Sequence, residues 1–215
     1  MKRLVLVGLV LLSGTALAEG IDGWGRISVG GGFRWVPNWW FVSHAHDAGT
    51  PVIPGLSGGP QVGASFGFGV TSNLELAIDL IGGYETITLA QPDDQREEYT
   101  SAAYGAQIGG RLVGSNVPFK GLLPYLSVQA GPLVSSITSR LNSQPERLLL
   151  AISVSGGLTY RFSDRYGITL EAKYIYARSA LWPISGINVG GVAFSAMFTI
   201  FFPPAAKRDL DVPGF

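Results

Sequence analysis

The sequence lacks cysteine altogether and contains only two histidines. Without cysteine, neither a disulfide scaffold nor a thiolate metal site can form. Charged residues make up 14% of the chain, well below the roughly 25% found in soluble domains. Glycine is abundant, with 30 residues, although it weakens the strands of water-soluble sheets. The composition therefore favours a protein whose outer surface is not covered by water.

A long apolar run is also missing, since no stretch reaches the ~18 residues that a membrane-spanning helix requires. The apolar run at residues 4–12 follows the basic pair Lys2 and Arg3, and Ala16-Leu17-Ala18 precedes Glu19. A basic start, a short apolar core and an A-x-A site are typical of a secretory signal peptide. We therefore expect residues 1–18 to be a signal peptide and the remaining chain to be exported.

The part that follows the predicted signal is nearly neutral. Lys2 and Arg3 are two of the 15 basic residues, so their removal leaves 13 basic against 15 acidic residues. This balance gives no electrostatic footprint for a nucleic acid, and we expect no such partner. About 197 residues fit one domain on the usual length prior.

Residues 156–178 show the clearest strand pattern. Leu158, Tyr160 and Phe162 alternate with polar residues up to a turn at 163–165, and the alternation resumes at Ile168 and Leu170. Because strand side chains point to opposite faces with a period of two, this is a hairpin with one apolar face and one charged face. In a membrane barrel the apolar face meets lipid and the charges fill the lumen. A soluble lipocalin-like barrel, with its charges outside, is the topological rival.

Similar alternation predicts eight strands, at about 24–35, 60–70, 74–88, 99–113, 123–137, 148–162, 167–178 and 188–202. The connections alternate between short and long, which is typical of short periplasmic turns and longer external loops. We therefore predict an all-β fold, a transmembrane eight-stranded antiparallel up-and-down β-barrel. The barrel is expected over residues 19–202, with a short periplasmic tail at 203–215.

Aromatic residues cluster near the predicted strand ends, as expected for the two interfaces of a membrane. The outer rim is predicted to contain Trp35, Trp39, Trp40, Tyr84, Tyr99, Tyr176 and Trp182. The inner rim is predicted to contain Trp24, Phe68, Tyr125, Tyr160, Phe162, Tyr166, Phe201 and Phe202.

Several sequence segments of the predicted strands resemble those of the small eight-stranded outer-membrane barrels of the OmpA, OmpX and OmpW type. The matching segments are Phe66-Gly67-Phe68-Gly69-Val70, Asn73-Leu74-Glu75-Leu76, Pro124-Tyr125-Leu126, Tyr160-Arg161-Phe162 and Leu170-Glu171-Ala172-Lys173-Tyr174. The resemblance implies a bacterial cell outer-membrane location in a Gram-negative organism, contact with outer-membrane lipid and lipopolysaccharide, and insertion by the barrel assembly machinery. Such barrels usually end on an aromatic residue. Here Pro203-Pro204 follows Phe202, and the tail continues to Phe215, so either the tail is an extra periplasmic segment or Phe215 serves as the terminal aromatic signal.

Charged residues on the predicted inward face should form a lumen network. The network is expected to contain Arg26, Arg111, Arg161, Lys173, Glu75, Asp79 and Glu171, and Arg34 and Glu85 share the same face. An eight-stranded barrel has room only for its own side chains, so these charges should pair and plug the lumen. A narrow gated conduit is the alternative, and no catalytic residue is predicted.

Pro132 is an unusual residue inside a predicted barrel strand, because proline cannot donate to the ladder. A β-bulge at this position would accommodate it. The resemblance to OmpW implies a second interpretation, in which a weak seam lets a small apolar solute leave the lumen sideways.

The first long loop carries a candidate external binding surface, formed by Trp39, Trp40, Phe41, His44 and His46. Exposed aromatic residues of this kind suit an extracellular partner. The H-x-H pair lacks a clear third ligand besides Asp47, so we predict no metal and no cofactor. Ser43 beside His44 leaves open a weak hypothesis of a lipid A-modifying hydrolase.

We therefore predict a non-enzymatic, porin-like outer-membrane barrel with a structural or surface-interaction role. The alternatives are a gated channel for small apolar solutes and, behind it, the lipid A hydrolase.

Overall fold

The computed structural model describes residues 21–36, 58–90, 96–114, 121–139, 143–178 and 188–202. These residues form eight strands in chain order, β1 (Gly25–Trp35), β2 (Gly58–Gly69), β3 (Leu74–Ala90), β4 (Arg96–Val113), β5 (Leu122–Ser139), β6 (Ser143–Arg161), β7 (Tyr166–Tyr176) and β8 (Gly191–Phe202). The predicted signal peptide, the 203–215 tail and the external binding loop lie outside the described residues.

Each strand pairs with the next strand along the chain, and β1 pairs with β8 to close the barrel. All eight pairings are antiparallel, and the closing ladder runs from Gly25↔Phe202 to Trp35↔Val192. Within the membrane, a closed barrel leaves no edge strand whose backbone N–H and C=O groups would lack hydrogen-bond partners in the hydrocarbon. The predicted eight-stranded antiparallel up-and-down barrel is confirmed. The described residues contain no helix that is long and apolar enough to cross a membrane.

The register gives the inclination of the strands. A circuit of directly paired residues starts at Leu158 and passes Leu170, Ala196, Gly31, Val62, Gly82, Tyr104 and Val134 before it returns to β6 at Leu148. The circuit thus returns ten residues away from its start on the same strand. This stagger is the shear of the barrel, and it requires strands tilted by roughly 35–45°. Leu148 consequently lies much closer to the outer end than Leu158.

The two faces of the wall differ sharply in composition. Large apolar side chains such as Val62, Leu80, Ile108 and Leu170 are exposed on the outside, whereas every strand directs polar side chains into the buried interior. This arrangement is the reverse of a soluble barrel and matches a barrel in lipid. The soluble lipocalin-like rival is therefore wrong.

Aromatic residues mark both ends of the apolar wall. Trp35, Tyr84, Tyr104 and Tyr176 lie outward near the outer end, and Phe68, Tyr160, Phe162, Tyr166 and Phe202 lie outward near the inner end. Two residues predicted for the inner belt lie inside instead, since Tyr125 and Phe201 are buried. Side chains alternate between the two faces of a strand, and Tyr125 in β5 and Phe201 in β8 occupy inward-facing positions. The prediction considered only that both residues lie near a strand end.

Pro132 does not lie at a bulge, so that prediction is wrong. It pairs with Leu150 in an unshifted ladder, and the register shift between β5 and β6 lies further out, between Ser135 and Ile137. On the other side of Pro132, the β4–β5 ladder breaks between Gly105↔Leu133 and Ile108↔Ala130 without a change of register. The missing N–H is thus accommodated by a local loss of pairing with β4.

Candidate functional site in the barrel lumen

Six charged side chains meet in the inner and middle part of the lumen, because alternation directs them inward from four strands. They are Arg26 from β1, Glu75 and Asp79 from β3, Arg111 from β4, and Glu171 and Lys173 from β7. We call them the inner charge cluster. Three cations face three anions, and every member is at most 8% exposed. Charges buried so deeply are tolerated only when they are paired and hydrogen-bonded.

Glu75 joins two arginines across the lumen. Arg26 Nε lies 2.9 Å from Glu75 Oε2, and Arg111 Nη1 lies 2.5 Å from Glu75 Oε1. Gly67 on β2 provides the room, because a Cβ there would lie 2.5 Å from Glu75 Cδ. Because Gly67 has no side chain, the Glu75 carboxylate of the neighbouring strand can reach both arginines.

Asp79 forms the second junction. Lys173 Nζ donates to Asp79 Oδ2 at 2.5 Å, Ser65 Oγ donates to Asp79 Oδ1 at 2.7 Å, and Arg111 Nη2 lies 3.5 Å from Asp79 Oδ1. Lys173 Nζ also lies 3.2 Å from Glu171 Oε1. Arg111 and Lys173 therefore link the three carboxylates into one continuous network.

Tyr125 stands in the middle of this network. Its hydroxyl donates to Glu171 Oε2 at 2.8 Å, and its ring lies under two guanidinium groups, with Arg111 Cζ at 4.7 Å and Arg26 Cζ at 5.3 Å from the centroid. Both distances suit cation–π attraction. Gly157 on β6 leaves space for the ring, since a Cβ there would lie 2.5 Å from Tyr125 Cζ. The Tyr125 ring therefore fills the lumen between the charged groups.

A row of hydroxyl groups extends the network around the wall. Ser28 is bonded to Thr199, Thr199 to Thr169, and Thr169 to Thr159, at 2.7–2.9 Å, and Arg26 Nη1 donates to Thr159 at 3.2 Å. The first of these bonds joins β1 to β8. Hydroxyl pairs thus stabilise the closing seam of the barrel and connect it to the inner charge cluster.

Arg161, the seventh predicted member of the network, does not join the other six. Its guanidinium lies 5.0 Å above the ring of Trp24. Trp24 in turn makes an edge contact with Phe201, with the ring centroids 6.5 Å apart. Arg161 is the last residue of β6, and the strand end places it near the inner rim instead of the middle of the lumen.

Further out, Arg34 and Glu85 form a second pair of buried charges, which we call the outer pair. Arg34 Nη2 lies 3.8 Å from Glu85 Oε1, too far for a hydrogen bond. Among the described residues, Arg34 Nε and both Glu85 oxygens have no hydrogen-bond partner, and neither do the hydroxyls of Ser101 and Ser135. The neighbouring interior is apolar, with Leu133, Ala151 and Ile175 almost completely buried. The outer half of the lumen therefore combines buried apolar side chains with a few buried hydroxyls and one loosely joined ion pair.

This arrangement is suited to closure and offers little for catalysis. The carboxylates of the inner charge cluster are bound to cations, which leaves none as a free general base. Among the described residues, no group of three acidic or histidine side chains could hold a metal ion. The candidate external loop with Trp39, Trp40, Phe41, His44 and His46 lies outside the part that the structure describes.

Sequence reasoning missed several contributors to the site. The position of Tyr125 near a strand end predicts a membrane-interface residue, and the sequence alone predicts no role for Ser65, Ser155, Thr159, Gly67 and Gly157. The inward parity of four of them follows from the predicted lumen charges, because Ser65, Ser155 and Gly157 face such a charge across a ladder and Thr159 lies two residues from Arg161 on the same strand. Alternation along a strand predicts which face a side chain lies on. Which side chains contact one another depends on the register between strands, which the sequence does not give.

Comparison with known proteins identifies the fold. No family model matches the sequence, and no curated protein matches it. The outer membrane protein OprG from Pseudomonas aeruginosa has a similar structure, with a TM-score of 0.57 at 11% identity over 86% of this chain and 99% of that one. Neisserial surface protein A is also similar, with a TM-score of 0.51 at 11% identity over 85% of this chain and 97% of that one. The predicted fold of a small eight-stranded outer-membrane barrel is therefore confirmed.

Proposed function

We propose that the chain is a non-enzymatic barrel of the bacterial outer membrane, with a structural and surface-interaction role and a closed lumen. The observation that carries this proposal is the inner charge cluster, in which three cations and three carboxylates from four strands are joined by direct bonds. Ions or solutes could pass only by breaking several of these buried contacts at once. Leaving a buried charge without its partner costs several kcal/mol, so the closed state is strongly favoured.

The surface-interaction part of the proposal is supported by the outer end of the barrel. Strands β3 to β6 contain 17–19 residues, whereas β1, β2, β7 and β8 contain 11 or 12. About ten residues per strand are enough to cross a bilayer obliquely. The four long strands therefore extend the wall outward on one side of the barrel, where it is available for contacts outside the cell. The similar structures named above support the fold only.

Single-channel recording in planar lipid bilayers tests the closed lumen. The refolded protein should give no unitary current steps at moderate voltage, because the inner charge cluster spans the lumen. Reproducible steps from the wild-type protein would contradict the proposal. Heat-modifiable migration on a gel would confirm in the same sample that the barrel is folded.

A gated conduit for small apolar solutes is the second candidate, and one observation favours it. The β4–β5 ladder is interrupted beside Pro132, which leaves a local seam in the wall. Uptake of a small apolar solute into protein-containing vesicles would test this candidate. If the seam is a passage, the Pro132→Ala variant should slow uptake by restoring the ladder, and equal rates with protein-free vesicles would exclude the conduit.

A further inference from the structure

A small cavity lies in the lumen beside the inner charge cluster, against β1, β2 and β3, with a volume of about 20 Å³. Its polar lining comes from Gln61 and Ser65 on β2, Asp79 on β3, Glu171 and Lys173 on β7, and Ser195 on β8. Strand β1 contributes only Gly30 and Gly31 to the lining. The cavity therefore lies where β1 has no side chain between the polar residues of β2 and β8.

Two of the polar side chains that line the cavity are not bonded to any described residue. Gln61 is only 7% exposed, and its side-chain amide has no hydrogen-bond partner in the described part of the chain. The hydroxyl of the half-buried Ser195 likewise has no partner among those residues. Buried polar side chains are almost always hydrogen-bonded, either to protein or to ordered water. Gln61 and Ser195 therefore require a partner inside the cavity.

The charges around the cavity limit the chemistry of that partner. Lys173 is already joined to Asp79 and Glu171, so its ammonium group would repel a second cation. The two carboxylates would repel an anion. A carboxylate has about four acceptor sites, and three donors lie beside each of Asp79 and Glu171, which leaves room for one more. The Gln61 amide and the Ser195 hydroxyl can donate, so the partner is a neutral molecule that both donates and accepts.

The volume of the cavity determines the size of the partner. Roughly 10–15 Å³ is enough for one water molecule, which needs two to four polar partners. A cavity of about 20 Å³ therefore holds a single water molecule and is too small for an organic solute.

We propose that this cavity binds one ordered water molecule, which accepts hydrogen bonds from Gln61 and Ser195 and donates to Asp79 and Glu171. The water joins β2 and β8 to the inner charge cluster at the level where β1 has only glycine. This site goes beyond the function proposed above, which requires no bound molecule.

Met197 provides a specific reporter for the test. It lines the cavity, is buried, and is the only methionine in the sequence besides Met1. We therefore label methionine with ¹³C at the methyl group and refold the barrel in deuterated detergent. An NOE cross-peak is expected between water and the Met197 methyl protons. Methyl protons do not exchange with solvent, so the cross-peak reports water that is held beside them.

The decisive variant is Gln61→Leu, which removes the amide and should abolish the cross-peak. A signal relayed through the exchanging hydroxyl of Ser195 would remain in this variant. Gln107→Leu is the matched control, because Gln107 is also a buried lumen glutamine but does not line the cavity. This control should keep the cross-peak.

A second variant removes the water without changing the polar lining. Gly63 lines the cavity, and a Cβ at this position would have only the carbonyl oxygen of Leu80, at 3.1 Å, within 4 Å. The methyl group of Gly63→Ala should therefore occupy the cavity, displace the water and abolish the cross-peak. Heat-modifiable migration checks that each variant is folded.

Loss of the cross-peak in Gln61→Leu and Gly63→Ala, with retention in Gln107→Leu, would support the water site. Absence of the cross-peak from the wild type would overturn the proposal, because the cavity would then be dry. A cross-peak that persists in both Gln61→Leu and Gly63→Ala, or one that is lost equally in Gln107→Leu, would also overturn it.

Discussion

The lumen contains two sets of buried charges that are bonded very differently. In the inner charge cluster, every charged side chain makes at least one direct contact of 3.2 Å or less with an opposite charge. In the outer pair, the closest approach is 3.8 Å, and Glu85 has no hydrogen-bond partner among the described residues. The same barrel thus has one continuous charge network and one loosely joined pair with few hydrogen bonds around it.

The difference follows from how many strands contribute polar side chains at each level. Around Glu75 and Asp79, residues from β1, β2, β4 and β7 all direct polar groups inward. Around Glu85, the inward residues of β5 and β7 are mostly apolar, such as Leu133 and Ile175. A buried ion pair offsets its desolvation only when further hydrogen bonds complete it. We therefore expect the inner charge cluster to stabilise the barrel and the outer pair to contribute little.

The largest effect is expected from Arg111→Ala, because Arg111 contacts both Glu75 and Asp79. Leaving these buried carboxylates with fewer partners should lower the free energy of unfolding by about 3–5 kcal/mol. Urea unfolding in lipid vesicles, followed by tryptophan fluorescence, measures the change. Arg165→Ala, at an exposed position in an inner turn, should change stability by only about 0.5 kcal/mol. A loss below about 1 kcal/mol for Arg111→Ala would show that the network is not stabilising.

A smaller loss is expected when the space for Tyr125 is filled. Gly157→Ala places a methyl group 2.5 Å from Tyr125 Cζ and 2.6 Å from the backbone carbonyl oxygen of Leu170, and it should cost about 1–3 kcal/mol through displacement of the ring and of the neighbouring strand. Gly110→Ala is the matched control, because its nearest neighbour, Leu74 Cδ1, would be 3.8 Å away. The same unfolding measurement compares the two variants. Equal stability of both would indicate that Tyr125 is free to move without loss.

Removal of a single hydroxyl should have a still smaller effect. Tyr125→Phe keeps the ring between the two guanidinium groups but removes the donor to Glu171, which retains Ser155 and Lys173. The expected loss is about 1 kcal/mol, the usual contribution of one hydrogen bond. Tyr160→Phe on the lipid-facing wall should show no comparable loss in the same unfolding assay. If the two variants lose equal stability, the Tyr125–Glu171 bond contributes nothing specific.

The smallest effect is expected from replacing the whole outer pair. The double variant Arg34→Met, Glu85→Leu should unfold within about 1 kcal/mol of the wild type or be more stable, because the apolar surroundings already suit apolar side chains. Arg34→Met alone should be worse than the double variant, since it leaves Glu85 buried without its cation. A double variant as unstable as Arg111→Ala would remove the distinction between the two sets of charges.

Much of the fold was predictable from alternation alone. Eight strands, their inward and outward faces and the inward position of Arg26, Glu75 and Lys173 follow from a period of two in long strands. Strand ends were less certain, and β6 begins at Ser143 instead of residue 148, because an alternating pattern weakens where the strand leaves the membrane.

The partners within the lumen were not predictable, because they depend on the shear of the barrel. Arg26 and Arg111 are 85 positions apart in sequence, yet both contact Glu75 once the register fixes which levels meet. Arg161 has the correct parity but lies too far inward, over Trp24. Parity determines the face of a residue, and only the register determines its neighbours.

The most direct test compares two double-mutant cycles in the same lipid, Arg111→Ala with Glu75→Ala and Arg34→Ala with Glu85→Ala. Each cycle gives the coupling free energy of one pair from the unfolding of the single and double variants. We expect a coupling of about 2–3 kcal/mol for Arg111 with Glu75, and less than about 0.5 kcal/mol for Arg34 with Glu85. Equal couplings, or a larger one in the outer pair, would contradict the claim that the inner charge cluster holds the lumen closed.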